Sequence, residues 1–137
     1  MKRVLLPLLL VVALLGVAIV GYWMKQPLVA QPVACANPLA GCPFTHHGEP
    51  AQLTFSNQPA PMEAFELRVT APAAKSVSAE FQMVGMDMGF NRYDLHRATA
   101  KGFAAQVRLP ACVSGRRDWI LTLEIDGSRY AIPFKAR

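Results

Sequence analysis

Residues 4–24, from Val4 to Met24, contain no charged side chain. No other feature of the chain constrains it as strongly. A helix of 21 such residues rises about 30 Å, the thickness of a bilayer's hydrocarbon core. A secretory signal has an apolar region of only ~7–15 residues, followed closely by a small-x-small cleavage site. Here the run ends instead in Tyr22-Trp23, amphipathic aromatics suited to a membrane interface. Lys2 and Arg3 precede it and Lys25 follows it. By the positive-inside rule the N-terminus is cytoplasmic and residues 26–137 lie outside. The expectation is an uncleaved transmembrane anchor over residues 1–25, in preference to a cleaved signal. Leu39-Ala40-Gly41-Cys42 spells a bacterial lipobox, but it lies 17 residues beyond Lys25 across a Pro-rich stretch. A working lipobox directly follows the apolar region, so the match reads as coincidence.

The net charge of +5 follows from the same topology, since three of the basic residues flank the apolar run. In the remainder, basic and acidic residues alternate. No Lys/Arg stripe interleaved with aromatics is present, which excludes a nucleic-acid footprint. Arg116-Arg117 is the one basic doublet after the anchor and reads as a solvated turn.

Seven of the eleven prolines lie between Pro27 and Pro61. Such spacing breaks helices and favours extended chain, so residues 26–50 are expected to form a tether. Residues 51–56 are the first strand candidate. From Ala64 the pattern has period two. Phe65, Leu67 and Val69 alternate with polar residues, as do Val77, Ala79, Phe81 and Met83. Phe103–Leu109 and Trp119–Ile125 repeat the pattern, and Arg92–Ala98 is a weaker strand. Asp126-Gly127 signals a hairpin, with Tyr130, Ile132 and Phe134 returning on its far side. Residues 51–137 are therefore expected to form an all-β, immunoglobulin-like antiparallel β-sandwich.

Met83, Met86 and Met88 fall within six positions, the last two bounded by Gly85 and Gly89. Two positions apart in extended chain, the thioethers of Met86 and Met88 point the same way. A soft thioether pair suits copper(I), which prefers sulfur to oxygen. The plainer reading is that both plug the open end of the sandwich, because methionine fills irregular gaps. His96, eight residues after Met88, is the imidazole candidate for the same site. His46-His47 sits in the expected tether, where it is predicted to be exposed, and adjacent histidines in extended chain face opposite ways.

Cys35, Cys42 and Cys112 are an odd set for an oxidising compartment, where a disulfide is expected. A Cys35–Cys42 bridge closes a local loop. A bridge from Cys112 to either of the others staples the tether to the domain and closes a far longer one. Spacing leaves the pairing open. The third thiol is either buried and inert or a further soft ligand. No zinc-hydrolase, nucleophile-elbow, phosphate-loop or dinucleotide motif is present, and no nucleophile–base pair can be nominated. The chain does not read as an enzyme.

One apolar span, then Gly85-Met86-Asp87-Met88-Gly89-Phe90-Asn91-Arg92, Leu109-Pro110-Ala111-Cys112 and Gly115…Trp119 resemble the FixH-like and YtkA-like periplasmic domains of bacteria, over roughly Ala51–Phe134. The resemblance implies an immunoglobulin-like sandwich on a single anchor in the inner membrane, with its C-terminal domain in the periplasm. It implies a non-enzymatic accessory in copper handling or terminal-oxidase assembly, partnered by a respiratory oxidase subunit or a copper-delivery protein. Met86 and Met88 carry over by motif. The alternative is a metal-free interaction module for a membrane partner.

Overall fold

The computed structural model describes residues 2–24, 29–86, 91–111 and 115–137, and within the first helix the side chains of residues 10–23. Helix α1 covers Lys2–Met24, which contains the whole apolar run. Every residue described in full there, 10–23, is exposed. Among the described residues no helix is long and apolar enough to cross a membrane.

The rest of the described chain is β. Nine strands follow in order: β1 (Gln31–Pro32), β2 (Cys42–His46), β3 (Glu49–Phe55), β4 (Ala64–Thr70), β5 (Val77–Met83), β6 (Arg92–Arg97), β7 (Gly102–Arg108), β8 (Asp118–Ile125) and β9 (Ser128–Lys135). They form one sheet, ordered β1-β9-β8-β5-β6-β7-β4-β3-β2. The sheet curls at β6. Arg92–Leu95 pair with β5, whereas His96 and Arg97 pair with β7. The two arms on either side of β6 fold over one core. Phe55 and Phe65 from one arm meet Phe134 and Phe81 from the other, with ring centroids 5.3 and 6.0 Å apart. These tilted, edge-on contacts are the arrangement aromatic quadrupoles favour. Trp119, Leu121, Leu123 and Ile125 complete the buried face of β8.

The period-two segments after Ala64 form strands where they are expected, because alternation gives each strand one face for the core and one for solvent. Residues 26–50 differ from the tether expected of them. They contain β1, β2 and the start of β3. The prolines mislead because β1 and β2 are the two edges of the sheet, where a missing N–H costs nothing in the ladder. In β2, Cys42 and His46 are buried while Pro43 faces out, an alternation hidden because its two buried ends are a cysteine and a histidine.

Two ties hold the edges of the curled sheet together. Cys35, three residues beyond β1, is joined to Cys42, the first residue of β2, with Cα atoms 5.2 Å apart. The bridge that spacing left open is thus the short one, yet it is not merely local, since it links opposite edges of the sheet. Cys42 is fully buried. The second tie pairs His46 on β2 with Tyr130 on β9, at 2.8 Å between Nδ1 and the phenolic oxygen.

The strands define two ends. At the lower end lie two tight hairpin turns, His47-Gly48 and Asp126-Gly127, each with positive φ at both central residues. The chain enters the sheet here, since Gln31 pairs with Tyr130 near the start of β9. The upper end carries the β3–β4 connection, the close of β5, β7 and β9, the start of β6 and β8, and the 36–41 segment.

Candidate functional site

The described methionines of the β domain, Met62, Met83 and Met86, lie at the upper end. Met83 closes β5 opposite Trp119 and is buried. The next turn runs Met83-Val84-Gly85-Met86, with the Met86 N–H donating to the Met83 carbonyl at 3.2 Å. Gly85 sits at φ 76°, a conformation that only glycine adopts without penalty. The turn is held on β8 by two bonds. The Val84 N–H donates to the Asp118 carbonyl at 3.0 Å, and the Arg116 guanidinium donates to the Val84 carbonyl at 2.9 Å. Met86 emerges 38% exposed. Met88, the second ligand candidate, lies outside the described residues.

A third methionine arrives from another part of the chain. Met62 follows Pro61 in the β3–β4 connection and is 62% exposed. Its φ of 63° is left-handed, a state costing a non-glycine residue about 1–3 kcal/mol unless its surroundings impose it. The surroundings do so here. The Met62 N–H donates to the Leu109 carbonyl at 2.9 Å, and Pro61 and Leu109 form a parallel bridge. Sequence reading missed Met62 because it is 21 positions from Met83 and only the β3–β4 and β7–β8 connections bring it near.

A cleft of about 210 Å³ lies beside these residues, lined by Pro61, Met83, Trp119, Arg116, Arg117 and Arg137 among others. Pro110 and Gly115 also line it. They stand on either side of Cys112, which lies outside the described residues. With Cys35 and Cys42 bridged, Cys112 has no further cysteine in this chain to pair with.

His96 does not join this site. Its neighbour Leu95 pairs with Val77 at the lower start of β5, whereas the methionine turn follows Met83 at the upper end. Six residues of strand separate these levels, about 20 Å at ~3.3 Å per residue. The expectation that a hairpin returns His96 to the methionines fails because β6 runs away from the turn before reaching it.

His46, expected in an exposed tether, is 3% exposed. Its pKa is lowered, first by burial and then by the neighbouring His47 imidazole, with the Asp126 carboxylate opposing both. Burial pushes the Asp126 carboxyl up, but the N–H groups of Ser76 and Lys75 and the Ser76 hydroxyl outweigh it and hold it below the usual range. Tyr130 is raised, mainly by burial. This cluster braces the lower end. Among the described residues no group of three or more His, Cys, Asp or Glu side chains is placed to hold a metal ion.

The chain matches no family model, no curated protein and no solved structure.

Proposed function

We propose that this chain is a membrane-anchored accessory protein of the bacterial periplasm that handles copper(I), in delivery or in terminal-oxidase assembly. The observation that carries this reading is the gathering of Met62, Met83 and Met86 at one end of the domain, with Met88 two residues further along the chain. Thioethers bind copper(I) in preference to hard cations, and an exposed turn leaves the metal transferable. Met86 and Met88 are the proposed ligands, with Cys112 rather than His96 as the candidate third.

The resemblance to FixH-like and YtkA-like domains supports the same reading, as does the strand order. β3-β4-β7-β6 and β5-β8-β9 follow the strand orders of the two sheets of a seven-stranded immunoglobulin sandwich, although β5 and β6 pair and join them into one sheet, and Trp119 stands on the sixth of those strands instead of the third. Anchoring is supported by α1. Its described residues expose leucines and valines throughout, a surface that needs an apolar cover.

The test is titration of the full chain in detergent with Cu(I) against a chromogenic chelator, before and after alkylation of the thiol. The Met86→Leu/Met88→Leu variant is expected to keep its β circular dichroism and lose stoichiometric Cu(I) uptake. Unchanged uptake overturns the reading. Exposure of Met62 and Met86 favours the second reading, a metal-free interaction module, in which the same variant weakens capture of a partner and leaves metal uptake as it was.

A further inference from the structure

The large hydrophobics that the domain leaves exposed are not scattered. Among the described residues, Val29 precedes the first strand; the other four, Leu39, Met62, Val84 and Met86, all belong to the upper end. None of them lines the Arg116–Arg117–Arg137 cleft, but two adjoin it. Met62 follows its lining residue Pro61, and Val84 is bonded to Arg116. An apolar centre rimmed by arginine is the composition of a protein interface, in which methionine and arginine are enriched and lysine depleted.

The charge of this end has one sign in excess. Among the described residues, Arg116, Arg117, Lys135 and Arg137 face Glu63 and Asp118. Glu63 pairs with Arg137 at 3.1 Å and Asp118 reaches Lys135 at 4.0 Å. Among the described residues, Arg116 donates to the neutral Val84 carbonyl and to no carboxylate. The left-handed backbone at Met62 adds a third observation. A strained residue that presents its side chain to solvent gains nothing in the folded core, and such strain collects at binding sites.

We propose that the upper end is a docking surface for the extramembrane domain of a partner protein, one that presents carboxylates around an apolar centre. Its direction rests on the anchored reading above, whereas the surface itself does not. The chain enters the sheet at the lower end, beside Tyr130. The eight residues of β8 raise the upper end by about 26 Å at ~3.3 Å per residue. A partner met there stands clear of the bilayer, and carboxylates would both steer its approach and fix its register on the arginines.

The experiment uses the full chain in nanodiscs of zwitterionic lipid and two labelled twelve-residue probes, one alternating Glu and Leu, the other Lys and Leu. The Glu–Leu peptide is expected to bind, with affinity falling roughly tenfold as salt rises from 50 to 500 mM, on the order expected of exposed charge pairs. Arg117→Glu/Arg137→Gln is expected to weaken it about tenfold or more, as is Met62→Asn, which suits the left-handed backbone and so preserves the fold. Lys75→Glu, at the lower end, is expected to leave it unchanged. Equal binding of both peptides, or none of the Glu–Leu peptide, overturns the proposal. So does capture of phosphatidylglycerol vesicles that disappears in the arginine variant, because the occupant would then be a lipid surface. Cu(I) titration of that variant separates the two readings, since it leaves Met86, Met88 and the Arg116 clamp intact and is expected to take up metal normally.

Discussion

At His46 burial and a neighbouring imidazole act in the same direction, and both disfavour the charged ring. The unfolded chain takes up a proton near the ordinary value of 6.5, while the folded chain resists it until a lower pH. The folded state therefore binds fewer protons just below that value. Stability is fully present above about pH 7 and is lost as pH falls through the unfolded pKa toward the lowered folded one. Chemical denaturation at pH 7.5 and pH 5.5 is expected to show this loss, and His46→Phe is expected to flatten it. An unchanged slope in the variant would mean another group titrates. The residue's role was not legible in the sequence. An adjacent pair of histidines in a Pro-rich stretch reads as solvated, and only pairing of β2 with β3, together with Tyr130 across the seam, covers one ring. Met62 is the converse case, since nothing near it marks it as part of a site.

Among the elements, the long alternating strands were fully legible, and the reason is local. Alternation in β4, β5, β7 and β8 needs no partner to be seen, because successive side chains of any strand point to opposite faces. The edge elements were not. β1 and β2 are short, carry proline, and bury a cysteine and a histidine where a hydrophobe is expected. Their place is secured by the Cys35–Cys42 bridge. It closes a loop of about eight residues, for which chain entropy predicts roughly 2–3 kcal/mol of stabilisation. Replacing both cysteines with serine is expected to lower unfolding stability by about that amount, read from denaturant midpoints. Hydrogen exchange is expected to rise first in β2 and at Val33, with β5 and β8 protected as before. Uniform loss of protection would show that the seam is part of the core's cooperative unit and not a separable closure.

For the molecule as a whole, topology separates two kinds of chemistry by the length of the strands. His46, His47, His96 and Asp126 lie at the lower end, where the chain enters, and Met62, Met86, Arg116, Arg117 and Arg137 lie at the upper. In the anchored reading the first end faces the bilayer and the second faces away. Fluorophores attached at Lys75 and at Met62 test this in nanodiscs containing a headgroup quencher. The Lys75 label is expected to be quenched several-fold more strongly than the Met62 label. Equal quenching would mean that the domain lies on its side, and the reverse order would turn the methionine end to the membrane.

Whatever depends on neighbours in the chain could be read from it directly: the apolar run, the strand faces, the Asp126-Gly127 turn, and the Met86–Met88 spacing that draws attention to copper. The tertiary structure decided everything that depends on which strands pair. The curl at β6 takes His96 to the end of the sheet away from the methionine turn. The β3–β4 connection brings Met62 to the end where that turn lies. The disulfide chooses the opposite sheet edge. Periodicity records which face of a strand is buried, but the level at which two distant strands meet is set by register. Register is a property of the pair, and neither strand carries it alone.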